Sequence, residues 1–256
     1  MTETTAFDAL DPNPVVGDAF GALLRSVHTG SGGAGAIERD DGQIEPHDAY
    51  GYFTGPPEWS PLDRQACTAA TGTILDIGCG AGRHLLTLQE HGRRVVGIDV
   101  SAGAVEVARE RGALDVRCLG LDEVGGLDMR VDTFLMLGNN LALLGSAAAA
   151  PARLAALAEV AAPGARILGT NIDPYGADGP VPDRHARYHA ANRAAGRLGG
   201  QLRIRARFGR LADEWFDYLL CSTDELTDLL DGSPWRLAEL TPAPDGPGYL
   251  AELRLR

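Results

Sequence analysis

The stretch Asp76-Ile77-Gly78-Cys79-Gly80-Ala81-Gly82 decides the fold of this chain of 256 residues. It ends an apolar run that begins at Ile74, and a segment with helical spacing follows from Arg83 to Glu90. An apolar run, a glycine turn and a helix in this order indicate a buried strand that turns sharply into a helix. Glycine residues let such a turn bring its backbone close to a bound ligand, because no side chain intervenes.

The spacing of these glycines narrows the class of ligand. Gly78, Gly80 and Gly82 form a GxGxG pattern, whereas the dinucleotide fingerprint GxGxxG requires a glycine where Arg83 stands. Asp76 comes just before the turn, where its charge would repel a pyrophosphate but attract an ammonium group. The pattern therefore favours a ligand with an amino-acid part over a dinucleotide.

Strands and helices alternate along the chain beyond the turn. This predicts an α/β fold with a single Rossmann-like, doubly wound sheet, mostly parallel with an antiparallel C-terminal strand. A helix is predicted over Ala147–Ala162, ended by Pro163-Gly164. The strands predicted after the first are Val95–Ile98, Val116–Leu119, Val131–Leu137, Ala165–Thr170, Trp235–Leu240 and Tyr249–Leu255.

Two segments lie outside this alternation. Residues 1–60 are predicted to form an irregular N-terminal cap or lid, with a short helix within Val15–Val27 and a loop over Gly30–Gly35. The main domain is predicted over residues 61–256. Within it, residues 171–222 form an insertion after the fifth strand.

Composition excludes several classes of protein. The formal net charge is −12, which argues against a nucleic-acid-binding protein, and the chain has no lysine, which excludes a Schiff base or a Walker phosphate lysine. The four cysteines are scattered, which argues against a zinc site or a disulfide framework. No apolar run reaches the roughly 20 residues of a membrane span, and the N-terminus is polar. We therefore expect a cytoplasmic protein with no membrane or nucleic-acid partner.

A second motif, Gly97-Ile98-Asp99-Val100-Ser101, ends the next strand with an acid suited to ribose hydroxyls. Together with the glycine turn it resembles motifs I and II of class I S-adenosylmethionine (SAM)-dependent methyltransferases. The resemblance implies SAM as cofactor, with Asp76 near its ammonium group and Asp99 at its ribose. The residues that it implies for cofactor binding are Asp76, Gly78, Cys79, Gly80, Gly82, Asp99, Val100, Leu121, Asp122, Leu137, Gly138 and Asn139.

Two parts of this assignment leave alternatives open. The family places an acid after the third strand to meet the adenine amine, where this chain has Leu121 followed by Asp122. The fourth strand ends in Leu137-Gly138-Asn139-Asn140, which resembles the LGN segment of glycine and sarcosine N-methyltransferase-like enzymes, beside the sulfonium. An asparagine-rich turn that caps the next helix would give the same sequence.

Polar and aromatic residues of the cap and the insertion are candidates for the acceptor site. His185 and His189 are four residues apart, on one helical face, where they are either general bases or solvated surface residues; no third ligand accompanies them, so we expect no metal. Tyr52 is a further catalytic candidate. The substrate-binding candidates are Tyr50, Trp59, Asn140, Arg203, Arg205, Trp215 and Tyr218.

Arginines are concentrated in the insertion. Eight lie between Arg184 and Arg210, a stretch without Asp or Glu. Such a stretch would attract an anionic acceptor. Alternatively, Arg203 and Arg205 alternate with apolar residues along Leu202–Phe208, as the solvent face of a half-buried strand would, and pair with surface acids.

The resemblance implies transfer of a methyl group from SAM to a small-molecule acceptor, on oxygen, nitrogen or carbon, by a monomer or a homodimer. Two alternatives remain at this stage. One is an NAD(P)-dependent oxidoreductase, which the glycine spacing disfavours. The other is a non-catalytic protein that binds SAM as a ligand.

Overall fold

The computed structural model describes residues 10–176 and 183–256. Its helices are α1 (Ala19–His28), α2 (Pro61–Ala69), α3 (Arg83–Glu90), α4 (Ala102–Glu110), α5 (Ala150–Val160), α6 (Asp183–Ala194) and α7 (Thr223–Leu229). Its strands are β1 (Val15–Val16), β2 (Ala34–Arg39), β3 (Ile44–Asp48), β4 (Thr73–Ile77), β5 (Arg94–Asp99), β6 (Val116–Cys118), β7 (Val131–Met136), β8 (Ala161–Ile172), β9 (Gln201–Phe208), β10 (Leu211–Ala212), β11 (Phe216–Leu219), β12 (Trp235–Pro242) and β13 (Gly248–Leu255).

The main sheet has the predicted architecture. Its strand order is β12-β13-β8-β7-β4-β5-β6, with β4 to β8 parallel and β13 antiparallel to both of its neighbours. The chain runs from β4 outwards to β6 and then returns to β7 on the other side of β4. The strand order therefore reverses between β4 and β7, which is where ligands bind in open α/β sheets.

Apolar side chains on both faces of this sheet hold it to the helices. Leu75 of β4 and Phe134 of β7 are buried on one face, where the Phe134 ring packs edge-on against Trp235 at 5.8 Å. Ile74 and Leu135 of the same strands are buried on the other face. Ser101 caps α4, as predicted, and accepts a hydrogen bond from the amide of Ala104 at 2.9 Å. Burial of the strands on both faces explains their nearly continuous apolar sequences.

A second sheet joins the N-terminal segment to the insertion. Strand β9 of the insertion pairs antiparallel with β2, β10 and β11; β2 in turn pairs with β3, and β1 lies parallel to β10. The prediction of an irregular segment over residues 1–60 is therefore wrong. The sequence pattern did not reveal the hairpin of β2 and β3, because β2 joins the sheet through β9, more than 160 residues away. The half-buried strand expected along Leu202–Phe208 is confirmed as β9.

Two smaller predictions are also corrected. Gly35 belongs to β2 rather than to a loop, because its missing side chain lets Leu23 of α1 pack against the strand. Strand β8 begins at Ala161 rather than after Pro163-Gly164. Its register against β7 shifts between Ala161 and Arg166, and this irregularity accommodates a proline without an amide donor and Gly164 at φ +79°.

Helix α1 is docked on α4, next to the end of β5. Asp18 caps α1 through the amide of Gly21 at 2.8 Å, and it also accepts hydrogen bonds from Ser101 Oγ and the amide of Gly103, each at 2.7 Å. Gly21 and Gly103 face each other, and a side chain on Gly103 would lie 2.9 Å from the Gly21 Cα atom. The N-terminal segment is thus held beside the cofactor motif; its role as a lid remains a prediction.

In the described residues, 10–176 and 183–256, no helix is long and apolar enough to cross a membrane.

Candidate cofactor and acceptor site

The glycine turn after β4 adopts a backbone that side chains disfavour. Gly78, Gly80 and Gly82 have φ values of +68°, +54° and +81°, all in the left-handed region. A methyl group on Gly78 would lie 2.5 Å from Asn140 Nδ2, so this position also lacks space. A methyl group on Gly80 would meet only the aromatic rings of the cap. Gly80 therefore presents open backbone towards the cap.

The carboxylate of Asp99 is fixed by backbone amides at the end of β5. One oxygen accepts the amide of Gly80 at 2.8 Å, and the other accepts the amide of Ser101 at 2.9 Å. Burial raises the pKa of Asp99, against the effect of these hydrogen bonds. Each carboxylate oxygen retains acceptor capacity, as binding to two ribose hydroxyls requires.

One carboxylate oxygen of Asp76 is buried without a hydrogen-bond partner among the described residues. The side chain is only 2% exposed, and this oxygen is Oδ2. Burial raises its pKa to about 7, while the nearby Arg83 opposes this shift. A buried acceptor without a partner is rare in proteins and indicates a missing donor. The ammonium group of an amino-acid ligand would supply that donor.

A polar cluster that the sequence analysis missed lies next to the glycine turn. Arg83 Nη2 is 3.3 Å from Asp63 Oδ2, and Asp63 Oδ1 accepts the amide of Gly138 at 3.3 Å. His84 Nε2 lies 3.8 Å from the same Asp63 oxygen, and burial lowers the pKa of His84 to about 3. Arg83 is the cation of this cluster and would suit a carboxylate. Only its position directly after Gly82 could have singled it out in the sequence.

The turn after β7 is tied to the glycine turn. Asn140 Nδ2 donates to the carbonyls of Ile77 and Gly78, at 3.0 and 2.9 Å. Gly138 has φ +66° and Asn139 φ +71°, and the Asn139 amide donates to Thr170 Oγ1 at 3.0 Å. Asn140 therefore positions the two turns relative to each other, while Gly138 and Asn139 line the reversal between β4 and β7.

On the adenine side, the carboxylate of Asp122 forms an ion pair with Arg153, with 2.7 Å between Oδ1 and Nε. The assignment of Leu121 and Asp122 to the adenine amine stays a prediction. Leu121 is buried. Val100, next to Asp99, is 76% exposed, which is unusual for valine. Its apolar side chain would suit the face of an adenine ring.

The cap covers the glycine turn with aromatic rings. A methyl group on Gly80 would lie 3.7 Å from Tyr52 Cδ1 and 4.0 Å from Phe20, and the two rings pack edge-on at 5.2 Å. Tyr50, in contrast, is 54% exposed, and Trp59 is buried against His84 with 4.7 Å between ring centroids. Of the predicted cap aromatics, the contacts place Tyr52 over the turn.

The insertion closes the other side of the site. The hydroxyl of Tyr218 on β11 donates to the carbonyl of Asn139 at 2.8 Å, and burial raises the pKa of this tyrosine. Trp215 stacks under the guanidinium of Arg205 at 4.3 Å. Tyr218 thus lies at the β7 turn, whereas the described contact of Trp215 is with Arg205 of the insertion itself.

The arginines of the insertion pair with acids. Arg203 lies 3.5 Å from Asp217, and Glu38 Oε2 accepts from Arg205 at 2.9 Å and from Arg207 at 2.6 Å. Burial raises the pKa of Glu38, but the two guanidinium groups hold it below its usual value. These contacts agree with the alternative prediction, in which the arginines form the solvent face of a strand and pair with acids. Because Arg205 is already paired with Glu38, it is less suited to bind an anionic acceptor.

The two histidines of α6 lie among cap residues. His185 Nδ1 is 3.1 Å from Arg39 Nη1, and its Nε2 is 3.8 Å from Glu45. His189 is 5% exposed and packs edge-on against Tyr175 at 5.5 Å, so the reading of a solvated surface residue is wrong for it. None of these described contacts brings either ring to the glycine turn. Among the residues that the structure describes, no group of three His, Cys, Asp or Glu side chains could hold a metal ion.

Comparisons with known proteins identify the central region. The family described as "Methyltransferase domain" matches residues 74–164. Ribosomal RNA small subunit methyltransferase C from Alcanivorax borkumensis is 42% identical over 64 residues, which cover 24% of this chain and only 20% of that relative. The match with this curated relative therefore spans about a fifth of its length.

Solved structures extend the likeness over the whole chain. A SAM-dependent methyltransferase from Bacteroides fragilis, solved with S-adenosyl-L-homocysteine, has a TM-score of 0.78 at 24% identity and covers 96% of this chain and 99% of its own. The CcbJ methyltransferase from Streptomyces caelestis has a TM-score of 0.57 at 16% identity, covering 80% and 92%. The chain carries a methyltransferase domain, and it has the Rossmann-like fold of class I SAM-dependent methyltransferases.

Proposed function

We propose that the protein transfers a methyl group from SAM to a small-molecule acceptor and releases S-adenosylhomocysteine. The observation that carries this proposal is the buried Asp76 oxygen without a partner at the glycine turn. A dinucleotide has no ammonium group to donate to such an oxygen, whereas the amino-acid part of SAM has one.

The residues of the site fit SAM along its length. Asp99 would bind the ribose hydroxyls and Val100 would pack against the adenine ring. Asp76 would accept from the ammonium group, and Arg83 would bind the carboxylate. SAM supplies an electrophilic methyl group on its sulfonium. The protein would contribute by positioning the acceptor against this methyl group and by excluding water under the cap, and positioning alone supplies several kcal/mol in favourable cases.

The cap supports a small acceptor over a nucleic acid. Tyr52 and Tyr218, from two segments far apart in sequence, close over the two turns at which SAM would lie. Five of the eight arginines between Arg184 and Arg210 pair with acids, among them Glu38 and Asp217. With a formal net charge of −12, the chain would repel a polyanion such as ribosomal RNA.

The test compares two ligands that differ only in their amino-acid part. Calorimetric titration with S-adenosylhomocysteine and with 5′-methylthioadenosine separates the roles of the two acids. Asp76→Asn should weaken S-adenosylhomocysteine at least tenfold and leave 5′-methylthioadenosine unchanged, whereas Asp99→Ala should weaken both. Asp115→Asn, on the exposed ion pair with Arg117, serves as the control.

Methyl transfer itself is tested with labelled SAM and a panel of small alcohols, phenols, amines and carboxylic acids. Binding of NADH in place of S-adenosylhomocysteine would support an oxidoreductase instead. Binding of SAM without transfer to any compound, including extracts of small metabolites, would support the non-catalytic alternative.

A further inference from the structure

We propose that Tyr52 and His47 form the proton-accepting pair of the acceptor site, and that the acceptor is a hydroxyl compound. The inference rests on the proposed methyl transfer and adds a catalytic pair to it. It is carried by a hydrogen bond of 2.9 Å between Tyr52 Oη and His47 Nε2, and by the position of the Tyr52 ring over Gly80.

Tyr52 is held in place from both sides. Its ring contacts Phe20 and lies over Gly80, while Arg111 Nη1 donates to the carbonyls of Tyr52 and of Ala81, at 3.4 and 2.5 Å. One arginine thus joins the cap turn to the glycine turn. This link fixes the backbone of Tyr52 next to the glycine turn.

His47 reaches Tyr52 from the hairpin of the N-terminal segment. It lies on β3 opposite Gly35 of β2, and its ring centroid is 5.6 Å from that of Tyr52. Its side chain is only partly buried, so a proton received on this ring has a route to solvent. Burial lowers the pKa of His47, which keeps the imidazole neutral and able to accept a proton at neutral pH, while Asp48 raises it.

The pair faces the reversal between β4 and β7. Tyr52 lies over the β4 turn, and Tyr218 lies at the β7 turn through its bond to Asn139. The charged groups that act on Tyr52 are Arg83 and Asp99, and burial raises its pKa to about 12. The hydroxyl of Tyr218 donates a hydrogen bond to a carbonyl, whereas that of Tyr52 is hydrogen-bonded to His47. Of the two phenols, only Tyr52 is therefore in contact with a base.

The chemistry balances without an additional reactant. The oxygen of the acceptor forms a bond to the methyl carbon as the carbon–sulfur bond breaks, and the electron pair of that bond stays on sulfur. The hydroxyl proton of the acceptor passes to Tyr52 Oη, and the proton of Tyr52 passes to His47 Nε2. His47 then releases a proton to solvent. A carboxylate acceptor needs no base, and an amine can arrive deprotonated.

A binding experiment tests whether Tyr52 faces the transferred group. The probe is a SAM analogue with an amine in place of the sulfonium methyl. Tyr52→Phe, which keeps the ring, should weaken the analogue at least tenfold and S-adenosylhomocysteine less than twofold. Tyr188→Phe, which removes a tyrosine hydroxyl of α6 that donates to Asp40, should change neither. If Tyr52→Phe weakens the binding of both ligands equally, or weakens neither, the proposal is overturned.

Nuclear magnetic resonance of the imidazole tests the pair itself. Tyr52→Phe should shift the pKa of His47, and Tyr188→Phe should not; an unchanged His47 titration in Tyr52→Phe would overturn the pair. With any hydroxyl acceptor that the wild type methylates, His47→Gln should lower kcat about 100-fold at an unchanged KM for SAM. Failure of the wild type to bind S-adenosylhomocysteine would instead refute the proposed function.

Discussion

Replacement of Gly80 by alanine tests whether the glycine turn is open because a ligand lies against it. A methyl group at this position would meet no protein atom closer than 3.7 Å, so the folded chain has room for it. The cost to stability is then that of φ +54° for a residue with a side chain, about 1–2 kcal/mol. For a chain of this size, that corresponds to a fall in Tm of about 2–8 °C.

Gly92 offers a matched control. It follows α3 at φ +70°, and a methyl group there would have no neighbour within 4 Å. Gly92→Ala therefore carries the same backbone cost at a distance from the site. The two variants should unfold at similar temperatures, and only Gly80→Ala should lose ligand affinity.

The expected loss of ligand affinity in Gly80→Ala follows from overpacking. An extra methyl group between the turn and a ligand in contact with it costs about 1–3 kcal/mol, or about 5- to 150-fold in Kd. Calorimetric titration of both variants with S-adenosylhomocysteine, together with thermal unfolding without ligand, measures the two effects separately. Equal affinities in Gly80→Ala and Gly92→Ala would refute the placement of the ligand against this turn.

Three further predictions follow from the acids and the cap. Asp99→Ala should weaken SAM by about 1–3 kcal/mol, because ribose hydroxyls lose a charged acceptor; calorimetry with unchanged affinity would contradict this. Burial raises the pKa of Asp76 to about 7, so ionisation of this carboxyl group destabilises the folded state. In the ligand-free protein, the free energy of unfolding of the wild type should therefore fall relative to that of Asp76→Asn as the pH rises from about 4 to 7. The affinity for SAM should rise over the upper part of this range as the carboxyl group of Asp76 ionises. If SAM affinity depends on pH in the same way in the wild type and in Asp76→Asn, this prediction is wrong. If the N-terminal segment is a lid, S-adenosylhomocysteine should slow proteolysis near Tyr50, and equal cleavage rates with and without ligand would count against it.

Local signals in the sequence were enough to predict the main sheet and the cofactor motifs. The strand β4, its glycine turn and the helix α3 follow each other directly, and each is marked by apolar periodicity or by residues that tolerate positive φ. Asp76 and Asp99 are identified by their positions at strand ends. For the same reason the cap of α4 at Ser101 was predictable, since capping depends on residues three positions apart.

Only the tertiary structure decided the cap and the acceptor side of the site. Glu38 binds Arg205, 167 positions away, and it also binds Arg207, so two apparently free arginines are partners of one partly buried acid. The second sheet, the Asp63–Arg83 cluster and the bond between His47 and Tyr52 also depend on which segments pack together. Those contacts are stabilised by burial between elements that are distant in the chain. The spacing of residues within one segment therefore does not predict them.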